Sequence, residues 1–264
     1  MSLFVVMLIA FHPRKSHSLV LKSLLRETKL LHRHFPRHAH SLGKEYELDI
    51  KCRNHMTKFV MGVDEAGRGS LAGPVVAAAV ICLDDEADDR ILAADSKKLT
   101  EAQRETVFDI ITSDTCRYIT SWASFDHQQI DESNILKATM GAMHLCVAQC
   151  AGELVKKNNN ISFPNIYGII DGNRIPPRLP ISARPLVKGD ALCYSVALSS
   201  IIAKVNRDRI MRQYHKLYPE WDFAKNKGYP TREHLLAIDR HGASPIHRMS
   251  FKPLKGKIMK KYEN

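Results

Sequence analysis

At 264 residues, with 44% hydrophobic content and a formal net charge of +11, the chain has the composition of a soluble globular protein with ample apolar content for a core, which excludes a chain disordered throughout. Its six cysteines include no C-x-x-C pair, which excludes finger-type metal spacing and fits a reduced, cytoplasmic setting. The charge is unevenly spread: residues 1–55 hold ten Lys and Arg against four Asp and Glu (+6), residues 56–220 hold nineteen against twenty (−1), and residues 221–264 hold ten against four (+6).

The chain opens on LFVVMLIAF, an apolar run well short of the roughly 20 residues that cross a bilayer. It lacks the cationic n-region and small-residue cleavage site of a signal peptide. From His12 to His55 the sequence is rich in His, Arg and Ser with little periodicity. It reads as a poorly ordered basic extension, or as sequence upstream of a functional start at Met56.

Phe59, Val60, Met61 and Val63 then predict a strand that ends in two adjacent carboxylates, Asp64 and Glu65, followed by Gly67, Arg68 and Gly69. Strand alternation would send neighbouring side chains to opposite faces, so both acids are expected where the backbone turns. Carboxylates at the end of a dry strand are costly unless compensated, and a divalent cation is the usual compensation. The glycines allow close approach of the main chain to a ligand, and the forked guanidinium of Arg68 suits phosphate. A plain hairpin turn with solvated acids beyond it is the competing reading. Pro74 to Ile81 predict a second strand, apolar on both faces and therefore central.

The acidic cluster Asp84, Asp85, Glu86, Asp88 and Asp89 reads as a solvated loop. Thr100 with Gln103 forms a capping-box pattern opening a helix with Val107, Ile110 and Ile111 on its apolar face. Residues 117–124 predict a third strand. Leu136, Met140, Met143, Val147, Cys150 and Leu154 recur at spacings of four and three, the mark of an amphipathic helix on a sheet, and Asn158 to Asn160 end it. Its Met and Cys side chains are assigned to the core.

Ile166 to Ile170 predict a buried strand ending in Asp171. A short strand limited by prolines reaches Val187, before Lys188, Gly189 and Asp190. A helix from Ala191 to Tyr214 carries small residues, among them Ser195, Ala197 and Ser199, that permit close packing on the sheet. The order of elements indicates a mixed α/β sheet flanked by helices, with a C-terminal helical segment. Asp64, Asp171 and Asp190 each fall at a strand end, where ligand sites of open sheets gather. Taken singly, Asp171-Gly172 is also a hairpin signal and Asp190 a helix cap.

DEAGRG at 64–69, LAGPVVAAAV at 71–80, DSKKL at 95–99, IIDGN at 169–173, VKGD at 187–190, SIIAKVNRDR at 200–209 and KGYPTREH at 227–234 together resemble bacterial type 2 ribonuclease H, the ribonuclease HII family. The resemblance spans Thr57 to Lys252 in order and spacing. It implies a ribonuclease H-like fold, with endonucleolytic cleavage of RNA in RNA–DNA hybrids and on the 5′ side of single ribonucleotides in duplex DNA. It implies Asp64, Glu65, Asp171 and Asp190 as catalytic carboxylates holding two Mg²⁺ or Mn²⁺ ions. It also implies that Gly67, Arg68 and Gly69 read the ribose 2′-hydroxyl together with Tyr229.

Type 3 relatives usually carry Glu where Asp190 stands and a larger N-terminal domain, so type 2 fits better. Ser70 stands where many relatives have proline, a departure that leaves the glycines intact. Lys97, Lys98, Lys188, Lys204, Arg207 and Lys227 are candidate phosphate contacts, Lys188 and Lys204 foremost because each lies in a matched motif. The expected organisation is a basic extension over 1–55, a catalytic domain over 56–220 and a basic segment over 221–264 that aids substrate binding, in a monomer. Competing readings are another nuclease of the same fold that ignores ribose, and a non-catalytic nucleic-acid-binding protein with structural acids.

Overall fold

Strand β1 (Phe59–Ala66) occupies the centre of a five-stranded sheet of order β3-β2-β1-β4-β5 in a computed structural model of the chain. The structure describes residues 57–84 and 99–255, together with Asp49, Cys52, Asp88, Arg90 and Ile91. The readings made for the rest of 1–55, for Asp85, Glu86 and Asp89, and for Lys97 and Lys98 lie outside the described residues. Strands β2 (Val75–Cys82) and β3 (Tyr118–Phe125) run antiparallel to their neighbours, whereas β4 (Ile166–Asp171) and β5 (Ser182–Leu186) run parallel to β1. Every residue of β2 is buried, as its unbroken apolar run requires. The register Val63↔Ile170 sets the ends of β1 and β4 side by side.

Helices cover both faces. On one, α1 (Glu101–Ser113) brings Val107, Phe108 and Ile111 into a cluster with Leu198, Ile201 and Val205 of the long helix α4 (Tyr194–Leu217). The Thr100–Gln103 capping box that opens α1 is present in both directions. After the short α2 (His127–Glu132), α3 (Ile135–Lys157) covers the other face. It packs Met143, Cys146, Val147, Cys150 and Leu154 against Met61, Val63, Ala77 and Ala79, so its Met and Cys residues are core. Helix α2 was not expected, although Asp126 and Gln129 form a second capping box that marks its start.

Helix α4 spans Tyr194–Leu217 and begins three residues later than the small-residue pattern suggested. Asp190 does not open it. The residue lies in a separate 3₁₀ turn, Gly189–Ala191, and Cys193 stands at the helix N-cap. The start of α4 rests on the backbone of β1: a Cβ added to Gly62 would sit 2.0 Å from the Ser195 carbonyl carbon. Glycine at 62 is therefore what permits this crossing.

Short α5 (Phe223–Asn226) and α6 (Arg232–His241) belong to a third cluster, in which Trp221, Phe223, Ile238, Ile246 and Leu254 enclose Leu71, Ala72 and Met211. Backbone bonds join this segment to the loop after β1: Leu71 N–H donates to Gly228 O at 2.8 Å, and Arg248 N–H to Leu71 O at 2.8 Å. His234 and His247 are buried there with their Nε2 atoms 3.1 Å apart. Burial holds both imidazoles below their ordinary pKa, and His247 is pushed down to about 3.

A histidine kept neutral by the fold contributes stability above its unfolded pKa of about 6.5 and loses it as pH falls towards the folded value. The melting temperature is therefore expected to fall as pH drops from 6.5 towards 3. The slope should be shallower in His247→Gln, and equal slopes would refute the assignment. Among the described residues no helix is long and apolar enough to cross a membrane.

Candidate active site

Asp64 and Glu65 lie inside β1, opposite Ala78 and Ala77 of β2, because the strand continues to Ala66 instead of turning at the acids. They still meet across the strand end: ligand oxygens of Asp64, Glu65 and Asp171 all fall within 4.8 Å of one another. Asp171 closes β4 beside the end of β1, and its Oδ1 accepts the Gly189 N–H at 2.7 Å. That bond ties the β4 terminus to the turn bearing Asp190, which is buried and lines the same cleft.

The charges are concentrated. Burial first, then Glu65, Asp171 and Asp190, push the Asp64 carboxyl well above the usual range, and the Glu65 N–H donated to its Oδ1 at 2.7 Å offsets only part of this. Glu65 is also raised, by burial, while the guanidinium of Arg68 at 3.1 Å pulls it back. Three hard oxygen donors that repel one another in a partly dry cleft fit a divalent cation of the Mg²⁺ or Mn²⁺ type, which would neutralise the charge that burial penalises. The donor set holds no histidine or thiol, so softer metals have no preferred ligand there.

The cleft has a volume of about 450 Å³ and is lined also by Gly67, Arg68, Gly69, Lys204 and Tyr229. The two glycines differ. Gly67 has φ +94°, and a Cβ there would sit 1.9 Å from Arg207 Nε, whereas a Cβ at Gly69 would meet nothing within 4 Å. Gly67 is thus required by the protein itself, and the space at Gly69 is open to a ligand. Lys204 reaches the cleft from α4 while its Nζ donates to Asp208 Oδ1 at 2.7 Å.

Three of the candidate phosphate contacts lie elsewhere. Lys188 is exposed, in a left-handed conformation (φ 58°), on the turn before Asp190 and outside the cleft lining. Lys227 is buried, its Nζ donating to the Ala224 carbonyl. Arg207 is wholly buried beneath the glycine loop, donating to Pro74 O at 2.9 Å and Ala72 O at 3.2 Å. Its guanidinium lies 5.3 Å from the centre of the Tyr229 ring. Arg248, also buried, donates to Gly73 O at 2.9 Å and Arg68 O at 3.1 Å.

A basic residue normally signals a solvated surface, so nothing in the sequence marked these two arginines as the floor of the loop. Arg104 and Ser200 line the cleft as well; the sequence assigns Arg104 no role and marks Ser200 only as a small residue for packing on the sheet. Arg104 comes immediately after the Thr100–Gln103 capping box of α1, and no local pattern distinguishes it from a surface cation.

Comparison with known proteins bears on the same stretch. The sequence profile of a family described as Ribonuclease HII matches residues 61–254. A ribonuclease HII of a Marinomonas species is 47% identical over 203 residues, covering 77% of this chain and 94% of the relative. Another, from Magnetococcus marinus, is 43% identical over 224 residues, covering 83% and 97%. The crystal structure of ribonuclease H2 from Pyrococcus horikoshii superposes with a TM-score of 0.55 at 25% identity, covering 74% of this chain and 95% of that one. The profile runs from the middle of β1 to the last turns of the C-terminal segment and takes in every residue of the cleft, and the chain belongs to the ribonuclease HII family.

Proposed function

We propose that the chain cleaves the RNA strand of RNA–DNA hybrids and incises on the 5′ side of single ribonucleotides in duplex DNA, leaving 5′-phosphate and 3′-hydroxyl ends. Family membership makes it a ribonuclease H, an endonucleolytic hydrolase. The observation that supports the finer reading is the convergence of Asp64, Glu65 and Asp171 in one cleft with the Gly67–Gly69 loop and Tyr229.

Asp64, Glu65, Asp171 and Asp190 would hold two divalent cations, Mg²⁺ or Mn²⁺, which supply activation of the attacking water and neutralisation of the leaving oxygen. The chain's own residues do the rest. Lys204 offers a cation to a backbone phosphate while Asp208 fixes its direction. The open space at Gly69 lets the loop approach the sugar edge, with Arg68 on the exposed side. Tyr229, held over Arg207, lines the same cleft as that loop, and together they read the 2′-hydroxyl, the group that separates RNA from DNA.

The basic segment 221–264 strengthens binding of the polyanion, and Lys188 contributes from the rim. The working unit is a cytoplasmic monomer.

The test is digestion of an end-labelled RNA–DNA hybrid with Mg²⁺, with Mn²⁺ and with chelator. Metal-dependent cuts confined to the RNA strand, with 5′-phosphate ends, are expected. Cuts in the DNA strand, or cleavage that survives chelation, would overturn the reading.

A further inference from the structure

Asp49 belongs to the segment upstream of β1, in which no role was legible, yet it is buried (1% exposed) and bonded to the start of α4. Its Oδ2 accepts the Ser195 N–H at 3.0 Å, and its Oδ1 accepts from Ser195 Oγ at 3.2 Å and from Cys193 Sγ at 2.8 Å. Cys193 is the N-cap of α4 and makes no side-chain cap bond of its own. A carboxylate accepting the N–H of the second helical residue does what an Asp at the N-cap would do, and places negative charge at the positive end of the helix dipole. Asp49 is thus a cap supplied from outside the helix. Cys52, one turn further on, packs beside the cluster of Val60, Ile169, Cys193 and Val196, so the segment has a second point of attachment.

The turn that leads into this capped end carries the site. Cys193 N–H donates to Gly189 O at 2.9 Å, Gly189 N–H donates to Asp171 Oδ1 at 2.7 Å, and Asp190 sits between them. A short run of hydrogen bonds therefore joins the Asp49 cap to Asp171 and to the turn that carries Asp190. We propose that Asp49 is a positioning residue: by capping α4 from the segment upstream of β1, it fixes the Lys188–Cys193 turn and with it Asp190 and Asp171. This inference rests on the reading of those two acids as metal-holding residues.

The test uses the full chain, comparing wild type with Asp49→Ala, Asp49→Asn and Asp190→Asn. Each is assayed on a hybrid across a Mn²⁺ titration, and hybrid affinity is measured by fluorescence anisotropy in chelator. Removing a group that orients a metal-holding side chain costs about 10–100-fold in activity or metal affinity. Asp49→Ala is expected to lose about tenfold in kcat and to need more Mn²⁺ for half-maximal rate, with KM and metal-free hybrid affinity within about twofold of wild type. Asp49→Asn, which keeps one acceptor oxygen, should recover to a two- to threefold deficit.

A folded Asp49→Ala with wild-type kcat and Mn²⁺ requirement, or a loss expressed in KM alone, overturns the proposal. Should Asp49→Ala not fold, Asp49→Asn decides: a two- to threefold fall in kcat at unchanged KM supports the assignment, and wild-type kcat overturns it. Wild-type activity in Asp190→Asn would instead overturn the underlying reading of the carboxylates.

Discussion

Asp64→Asn is expected to reduce hybrid hydrolysis by at least about 10³-fold, the order that follows removal of a principal electrostatic group, while making the metal-free protein more stable. The two effects share one cause. Burial, Glu65, Asp171 and Asp190 hold the Asp64 carboxyl above its ordinary pKa. A carboxyl raised in the folded state opposes folding once it is ionised, and that opposition shrinks as pH falls below the raised value and is gone below the ordinary carboxylate range. Asparagine keeps the shape and the oxygen that accepts the Glu65 N–H, and removes the charge. A gain of about 1 kcal/mol at neutral pH without metal is expected, as when other strained functional groups are neutralised. Hybrid affinity should change little, because phosphate contacts carry it. Thermal melting in chelator alongside a single-turnover assay measures both effects. A variant that turns over normally, or that melts lower than wild type, would contradict the account.

Gly67→Ala should damage the fold as well as the activity, and Gly69→Ala only the activity. At Gly67 the left-handed backbone alone costs about 1–2 kcal/mol for a residue with a Cβ. The new methyl would also collide with Arg207, which is pinned by the carbonyls of Ala72 and Pro74 under the Tyr229 ring. Overpacking of this kind adds about 1–3 kcal/mol, so a loss of about 3 kcal/mol is expected, with displacement of both the loop and Tyr229. At Gly69 the methyl meets only the open space of the cleft. Gly69→Ala should melt like wild type and show a raised KM on hybrids. Urea unfolding curves with steady-state kinetics separate the two glycines, and equal stabilities for the two variants would refute the division.

The sheet was legible wherever one signal dominated. The all-apolar Val75–Cys82 could only be a central strand, the Thr100–Gln103 box marked α1, and the spacing of Met143, Val147, Cys150 and Leu154 predicted the face that α3 buries. The meeting of Asp64, Glu65 and Asp171 was legible because these acids follow apolar runs and stand in motifs that resemble the family's, whereas Asp190, on a turn behind Lys188 and Gly189, was marked by its motif alone.

What escaped the reading depends on contacts distant in sequence. Arg207 and Arg248 look like surface cations until the fold places Ala72, Gly73 and Pro74 against them. Lys227 looks like a surface cation until the fold buries it, with its Nζ donating to the Ala224 carbonyl. Gly62 shows nothing by itself, and its role is set by the crossing of α4. Asp49 acts on Ser195 across 146 positions, a separation no local pattern spans.

The central claim is that this cleft selects a ribose before it cuts. It is tested most directly with a DNA duplex carrying one ribonucleotide, incubated with Mg²⁺ or Mn²⁺ beside an all-DNA duplex of the same sequence. A single metal-dependent incision on the 5′ side of the ribonucleotide, with the all-DNA duplex intact, is the result predicted. Incision of both duplexes, or of neither while both bind, would contradict it.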